Sequence, residues 1–338
     1  MRPIRYERAA DTDAALNLAR RLAGLAADGA VYFAGGTQLL DLMKLDVMAP
    51  GTLIDINPLQ AEHGGIAADA SGLTLGGLAR MSAAADHPEV ARTYPVLRDA
   101  LAQAASAQLR NMATLAGNIL QRTRCNYFRD TSWHACNKRN PGSGCAAIPG
   151  VNRRLAVLGV SEHCIAHYPG DFAVALVALE AELDLIAPDG NRRSLPLTDL
   201  HRVWGDTPHI ETNLAPGELI AAIRVPAGPW TRRSLYRKVR DRDSYDFALA
   251  SAAVALDLAP DGSMREVRIG LGGLASKPWR AREAEDALRG QRLDEATAAR
   301  AAEAAFVGAV TRDGNAFKPE LGRRTLVRAL LEAAAMEI

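Results

Sequence analysis

Two apolar runs, each folded back on itself by a Pro-Asp-Gly turn, constrain this chain more than any other feature. In "AELDLIAPDGNRRSLPL" (residues 181–197) and "SAAVALDLAPDGSMREVRIGLGGL" (residues 251–274), strand-like segments flank Pro-Asp-Gly-Asn and Pro-Asp-Gly-Ser. Such sequences form antiparallel hairpins, because glycine and asparagine tolerate the positive φ that tight turns need. Hairpins set among helices predict an α+β chain rather than a doubly wound parallel sheet. Further strands are expected at "VYFAGG" (31–36), "TLIDIN" (52–57) and "LTLGGLAR" (73–80). A helix capped by Asp11 or Asp13 should run to about Asp28, and the Ala-rich "YPVLRDALAQAASAQLRN" (94–111) reads as one long helix. From about Trp279 the chain reads as helices only, in "RAREAEDALRG", "DEATAARAAEAAFVGAV" and "ELGRRTLVRALLEAAAM". Pro226, Gly228 and Pro229 interrupt every periodicity in "VPAGPWTRRS", which divides the chain into residues 1–226 and 230–338.

Bulk properties exclude several classes. The 338 residues suit about two domains; 48% are apolar, 23% are charged and the net charge is +1. That balance fills a large core and argues against disorder and against nucleic-acid binding by overall charge. No apolar run is long and charge-free enough to span a bilayer, and "MRPIRYERAADTDAALNLARR" carries neither an apolar signal region nor a twin-arginine signal. A cytoplasmic chain is therefore expected, unless a partner carries it elsewhere. In a reducing compartment its four cysteines serve as thiols or metal ligands rather than disulfides.

Two segments suit a phosphate-bearing cofactor. In "VYFAGGTQLLDLMK" a strand meets Gly35 and Gly36, and a helix is expected to begin near Thr37. Backbone N–H groups freed by glycine, together with a helix N-terminus, attract a pyrophosphate. The motif is neither GxGxxG nor a Walker loop, and a Gly-Gly pair is more often just a tight turn. In "QLRNMATLAGNIL", Arg110, Asn111, Thr114, Gly117 and Asn118 place small and polar residues after an apolar helix. They suit a surface for a dinucleotide, or a loop whose Asn and Thr satisfy their own backbone.

As a pair and in this order, "AGGT" and "RNMATLAGNI" resemble the FAD-binding subunit of the molybdenum hydroxylases, the family of xanthine dehydrogenase, carbon monoxide dehydrogenase and aldehyde oxidoreductase. "YPGDFAVALVAL", "YRKVRDRDSYDFALASAAVAL" and "GLGGLASKPWRAREAE" extend the resemblance over nearly the whole chain. It implies a two-subdomain FAD-binding domain of the vanillyl-alcohol-oxidase type, then a small C-terminal domain of antiparallel sheet and helices. Phe33, Ala34, Gly35, Gly36, Thr37, Gln38, Leu39 and Leu40 would wrap the FAD pyrophosphate and ribityl. Arg110, Asn111, Thr114, Gly117 and Asn118 would form a second strip, and Asp171, Ile223 and Lys238 would complete the flavin site. Ala116 stands where many relatives carry glycine. Read locally, Asp171 is an ordinary helix N-cap and Lys238 an exposed strand lysine.

Relative to most of that family, the chain carries an insertion at about residues 121–168 that contains all four cysteines. Their spacing, C-x10-C-x8-C-x18-C from Cys125 through Cys136 and Cys145 to Cys164, fits neither a zinc knuckle nor a compact ferredoxin run. Between Gln121 and Leu158, Arg122, Arg124, Arg129, Lys138, Arg139, Arg153 and Arg154 face a single acid, Asp130. A basic shell would lower the cost of burying the net charge of about −2 that four thiolates give to a [4Fe–4S] cluster or to one zinc ion. Charge does not separate the two, nor free cysteines in a basic docking loop. The motifs "RCNYFRD" and "CNKRNPGSGCAA" resemble a subgroup of bacterial aldehyde oxidoreductases whose flavin subunit also carries a [4Fe–4S] cluster. By that resemblance all four cysteines are ligands, shielded by Tyr127, Phe128 and Trp133, with His163 and His167 as substitutes of lower rank.

The resemblance implies an electron-transfer subunit. Its partners would be a molybdenum large subunit that oxidises the substrate and a small subunit with two [2Fe–2S] clusters, and FAD would pass electrons to an external acceptor. Members of the subgroup can be exported folded with a signal-bearing partner, which makes the periplasm the alternative location. Two other readings remain: a self-contained flavin oxidase, and a non-catalytic subunit with a structural four-cysteine zinc.

Overall fold

The structure is a computed structural model that describes residues 2–22 and 29–338. Its described residues form three sheets. Strands β1 (Arg5–Arg8), β2 (Ala30–Phe33) and β3 (Thr52–Asp55) make a small parallel sheet with β3 in the centre. Strands β4 (Ile66–Asp69), β5 (Gly72–Gly76), β6 (Glu182–Ile186), β7 (Arg192–Pro196) and β8 (Leu219–Pro226) make an antiparallel sheet of order β4-β5-β8-β6-β7. Beyond the proline-rich interruption, β9 (Ser234–Val239), β10 (Ala250–Leu258), β11 (Met264–Gly272) and β12 (Trp279–Arg280) form a second antiparallel sheet, of order β12-β11-β10-β9. Both Pro-Asp-Gly turns close hairpins, β6–β7 and β10–β11.

Helices Arg282–Leu288, Glu295–Ala305 and Lys318–Ala334 follow, and they bury Leu288, Ala301, Leu326 and Leu330 with β10 and β11 in a separate core. Helix Phe172–Ala178 is buried on every face, as expected of a helix apolar all round. It packs on β11 where Gly270 and Gly272 stand, and a Cβ at either glycine would fall on Val174. This close approach explains the "GLGG" sequence and fixes Asp171, one residue before the helix.

The helix capped by Asp11, whose Oδ1 accepts from Ala14 N at 2.8 Å, covers Thr12–Leu22; the remainder of its expected span lies outside the described residues. Two other expectations need correction. The helix after the glycine pair covers Leu39–Lys44 and leaves Thr37 and Gln38 in the preceding turn. The expected long helix is two, Pro95–Ala102 and Ala107–Met112, separated at Ala105, which has φ +49°. Propensity favours a continuous helix here, and tertiary contacts override it. Lys238 Nζ (3.1 Å) and Arg240 (3.2 Å) donate to the freed Gln103 carbonyl, and Arg110 donates to Ala104 O at 2.8 Å. Ser106 caps the second helix by accepting from Leu109 N.

Candidate functional site

A cleft of about 770 Å³ is lined by the glycine turn, the 104–121 strip, the insertion, the segment 167–171 and a loop of the C-terminal domain. The turn supplies Thr37 and Gln38, the strip Gly117 and Asn118, and the helix start Asp171. Every residue from Val31 to Leu40 is only partly buried, including Phe33, Ala34, Leu39 and Leu40, although the segment is mostly apolar. The turn's shape has its own packing cause. Gly36 has φ +67°, and a Cβ at Gly35 would fall on the Met112 carbonyl.

The remaining expected residues occupy other positions. Thr114 caps helix Leu115–Ile119 by accepting from Gly117 N, Arg110 serves the helix break, Asn111 is exposed and Ile223 is fully buried in β8. Asp171 makes no side-chain cap; its carboxylate accepts from Tyr236 Oη at 2.6 Å and from Lys238 Nζ at 2.7 Å. The Lys238 side chain is 1% exposed, so it is a buried ion-pair partner and not the exposed strand lysine that local sequence suggests.

Several buried polar atoms at this cleft have no hydrogen-bond partner among the described residues. They are Asn118 Oδ1, Arg124 Nε and both ring nitrogens of His167. Buried polar atoms are normally paired, so a cluster of unpaired ones on one cleft marks where a polar ligand belongs. The cleft's size and its mixture of apolar wall and few polar groups suit a cofactor.

The insertion is built into this cleft. Gln38 and Arg122 exchange two hydrogen bonds, of 3.0 and 2.8 Å, which join the insertion's first residues to the glycine turn. Arg124, Cys125, Tyr127 and Arg129 form part of the wall. The expected basic shell is corrected by what these cations touch. Arg129 and Arg124 pair with Asp41, Arg122 with Glu211, and Arg153 and Arg154 with Asp241 and Asp246. Arg139 donates to the carbonyls of Tyr127, Phe128 and Asp130. Most of the charge therefore docks the insertion onto its own chain. Only Lys138 among the seven is both fully buried and close enough to a thiol, Cys164, to lower its pKa; it lies 3.3 Å over the Trp204 ring and 3.4 Å from Glu211. From the C-terminal domain, Lys318 Nζ donates to the carbonyls of Arg154, Leu155 and Gly273 and pins the insertion's far end.

Cys125, Cys136, Cys145 and Cys164 line one small cavity together with Tyr127, Phe128, Lys138 and His163. All four are free thiols. Burial pushes Cys125 up to about 11 and Cys164 up to about 12, against the backbone N–H groups of Phe128 and Tyr127 at the first thiol and Lys138 and the Ala166 N–H at the second. Among the described residues no group of three or more His, Cys, Asp or Glu is disposed to hold a single metal ion. Trp133 does not shield this cavity: it is 49% exposed and packs edge-on against Tyr127, while buried Trp204 takes the inner position. His167 lines the large cleft instead. Trp204 lies forty residues beyond Cys164, and no local pattern links them.

Residues 2–228 match the family described as the FAD binding domain in molybdopterin dehydrogenase, and residues 234–338 match the CO dehydrogenase flavoprotein C-terminal domain. The chain is 48% identical over 336 residues to the aldehyde oxidoreductase FAD-binding subunit PaoB of Escherichia coli strain K12, covering 99% of both chains. It is 27% identical to the glyceraldehyde dehydrogenase medium chain of Sulfolobus acidocaldarius, over 78% of this chain and 74% of that one. Among solved structures, a carbon monoxide dehydrogenase chain from Hydrogenophaga pseudoflava superposes with a TM-score of 0.75 at 26% identity, covering 99% of this chain and 98% of the other.

Proposed function

The chain belongs to the FAD-binding medium subunits of the molybdenum hydroxylase and carbon monoxide dehydrogenase family, and on that premise we propose that it is the flavin subunit of an aldehyde-oxidising enzyme. In this reading it takes electrons from a [2Fe–2S] small subunit and delivers them to an external acceptor, while a molybdenum large subunit oxidises the substrate. It also holds a [4Fe–4S] cluster on Cys125, Cys136, Cys145 and Cys164. Without a partner that exports it, it works in the cytoplasm.

One observation carries the reading: Cys125 lines both the large cleft and the thiol cavity, so the two candidate cofactor sites share a wall. The unpaired polar atoms of Asn118, Arg124 and His167 give the cleft the donors and acceptors that a flavin dinucleotide needs. The thiol cavity supplies four sulfurs and the N–H groups that stabilise thiolates. When bound, FAD supplies the exchange between one- and two-electron chemistry, and an iron–sulfur cluster supplies a one-electron site. The chain's own residues bind and orient: Gln38 holds the turn against the insertion, the Asp171–Lys238 pair fixes the cleft's end, and the loop at Asp246 closes its C-terminal side.

The test is an anaerobic ultraviolet-visible spectrum of the isolated chain, with flavin, iron and zinc quantified on the same sample. The expected result is about one flavin and about four irons per chain, as the cluster's formula requires. A chain without flavin would overturn the cofactor reading. Flavin with one zinc would leave the flavin role and overturn the cluster.

A further inference from the structure

His167 is 3% exposed and lines the large cleft. Neither ring nitrogen has a hydrogen-bond partner among the described residues. The segment that carries it runs from one candidate site to the other: Cys164 and Ala166 line the thiol cavity, whereas His167, Pro169 and Asp171 line the cleft. Its neighbours hold their own positions without it. Tyr168 donates to Ile119 O at 2.8 Å, and Asp171 pairs with Tyr236 and Lys238. The imidazole therefore has no structural bond to make within the fold.

Burial and the cations Lys318, Arg154 and Arg124 hold this imidazole neutral, with its pKa pushed down to about 3. A neutral imidazole carries one donor and one acceptor. A pyrophosphate offers acceptors only and would leave one nitrogen unpaired. The isoalloxazine edge and the ribityl hydroxyls both offer donors as well as acceptors.

Resting on the FAD reading above, we infer that His167 is a cofactor-binding residue that hydrogen-bonds the flavin or ribityl portion of FAD through both ring nitrogens. It thereby makes the cysteine insertion a direct contributor to FAD binding.

The test compares the full chain with His167→Phe and His167→Gln. Apo-protein is titrated with FAD, and the flavin spectrum, the midpoint potential, the iron content and the apo-protein's melting temperature are recorded. Phe removes both polar atoms, so the Kd for FAD should rise by about tenfold or more, the loss of a good hydrogen bond or two. In the same variant the apo-protein should melt at a higher temperature, because a buried unpaired polar ring has been replaced by an apolar one. Iron should be unchanged, and Gln, which keeps a donor and an acceptor, should recover most of the affinity. Shifted absorption maxima or potential in the Phe variant would locate the contact on the isoalloxazine; weaker binding with both unchanged would locate it on the ribityl. Affinity within twofold of wild type, or an apo-protein that melts lower and loses iron, would overturn the inference by showing a packing residue. Should the Phe ring prevent folding, His167→Leu replaces it in the same comparison, and equal affinities of Leu and Gln variants would count against the inference. Failure of the wild-type chain to bind FAD would overturn the cofactor reading itself, before any variant is compared.

Discussion

Lys238 Nζ lies 2.7 Å from Asp171 Oδ2, and the two side chains are 1% and 5% exposed. One partner comes from near the end of β9, on the same face as Ser234 and Tyr236, and the other from the residue before helix Phe172–Ala178, so the pair ties β9 to that helix at the end of the cleft. Removing one charge leaves the other buried and alone, which typically costs about 3–5 kcal/mol. Lys238→Met and Asp171→Asn should each lower the urea midpoint strongly, and each should reduce FAD content. The double variant should be more stable than the sum of the singles implies. Additive losses in a double-mutant cycle would show that the pair is not coupled.

Glu211 gives a pH signature. Burial pulls its carboxyl up, but Lys138 and Arg122 outweigh that and hold it below the ordinary range. With a folded pKa below the unfolded one, the unfolded chain binds the extra proton, so this contribution is present above about pH 4.3 and is lost as pH falls through the folded value. Glu211→Gln should cost about 2–3 kcal/mol at pH 7, since it leaves Lys138 short of its buried partner. The gap between wild type and variant, measured by urea unfolding, should start to narrow below about pH 4.3 and close as pH falls through the lower folded value. A gap that does not change with pH would remove Glu211 from the account of acid sensitivity.

At Gly35 a methyl group has nowhere to go, because its Cβ would meet the Met112 carbonyl and that backbone is held by helix Ala107–Met112. Gly35→Ala should destabilise by about 1–3 kcal/mol through overpacking and lower FAD content by shifting the turn. Thermal unfolding and flavin absorbance check both. Unchanged stability would mean that the turn and this helix are less closely fitted than the distances show.

The shared wall at Cys125 separates the roles of the thiols. Cys136 lines only the small cavity, so Cys136→Ser should abolish most of the iron and leave FAD nearly intact. Asn118 lines only the large cleft, so Asn118→Ala should lower FAD with iron unchanged. Cys125→Ser should lower both. Metal and flavin analysis of the three purified variants decides, and equal loss of both cofactors in all three would mean that the sites do not form separately.

Much of the fold is legible in the residues because its signals are local. The Pro-Asp-Gly turns prescribe hairpins, β8 ends at Pro226, and the helical tail carries its own periodicity. The segments "AGGT" and "RNMATLAGNI" are likewise brought together on the large cleft, which Thr37, Gly117 and Asn118 line. What local pattern could not carry is which partner each charge and aromatic finds. Arg122, Arg129, Arg153 and Arg154 read as a shell for thiolates, yet each pairs with an acid distant in sequence: Glu211, Asp41, Asp241 and Asp246. Ala105 breaks a stretch of high helix propensity because Lys238 and Arg240, about 135 residues further on, claim the Gln103 carbonyl. Asp171 looks like an N-cap until Lys238 and Tyr236 are brought to it. Secondary structure follows from neighbours along the chain, whereas pairing and burial depend on distances that exist only after the domains have packed, and those distances assign the polar residues their work.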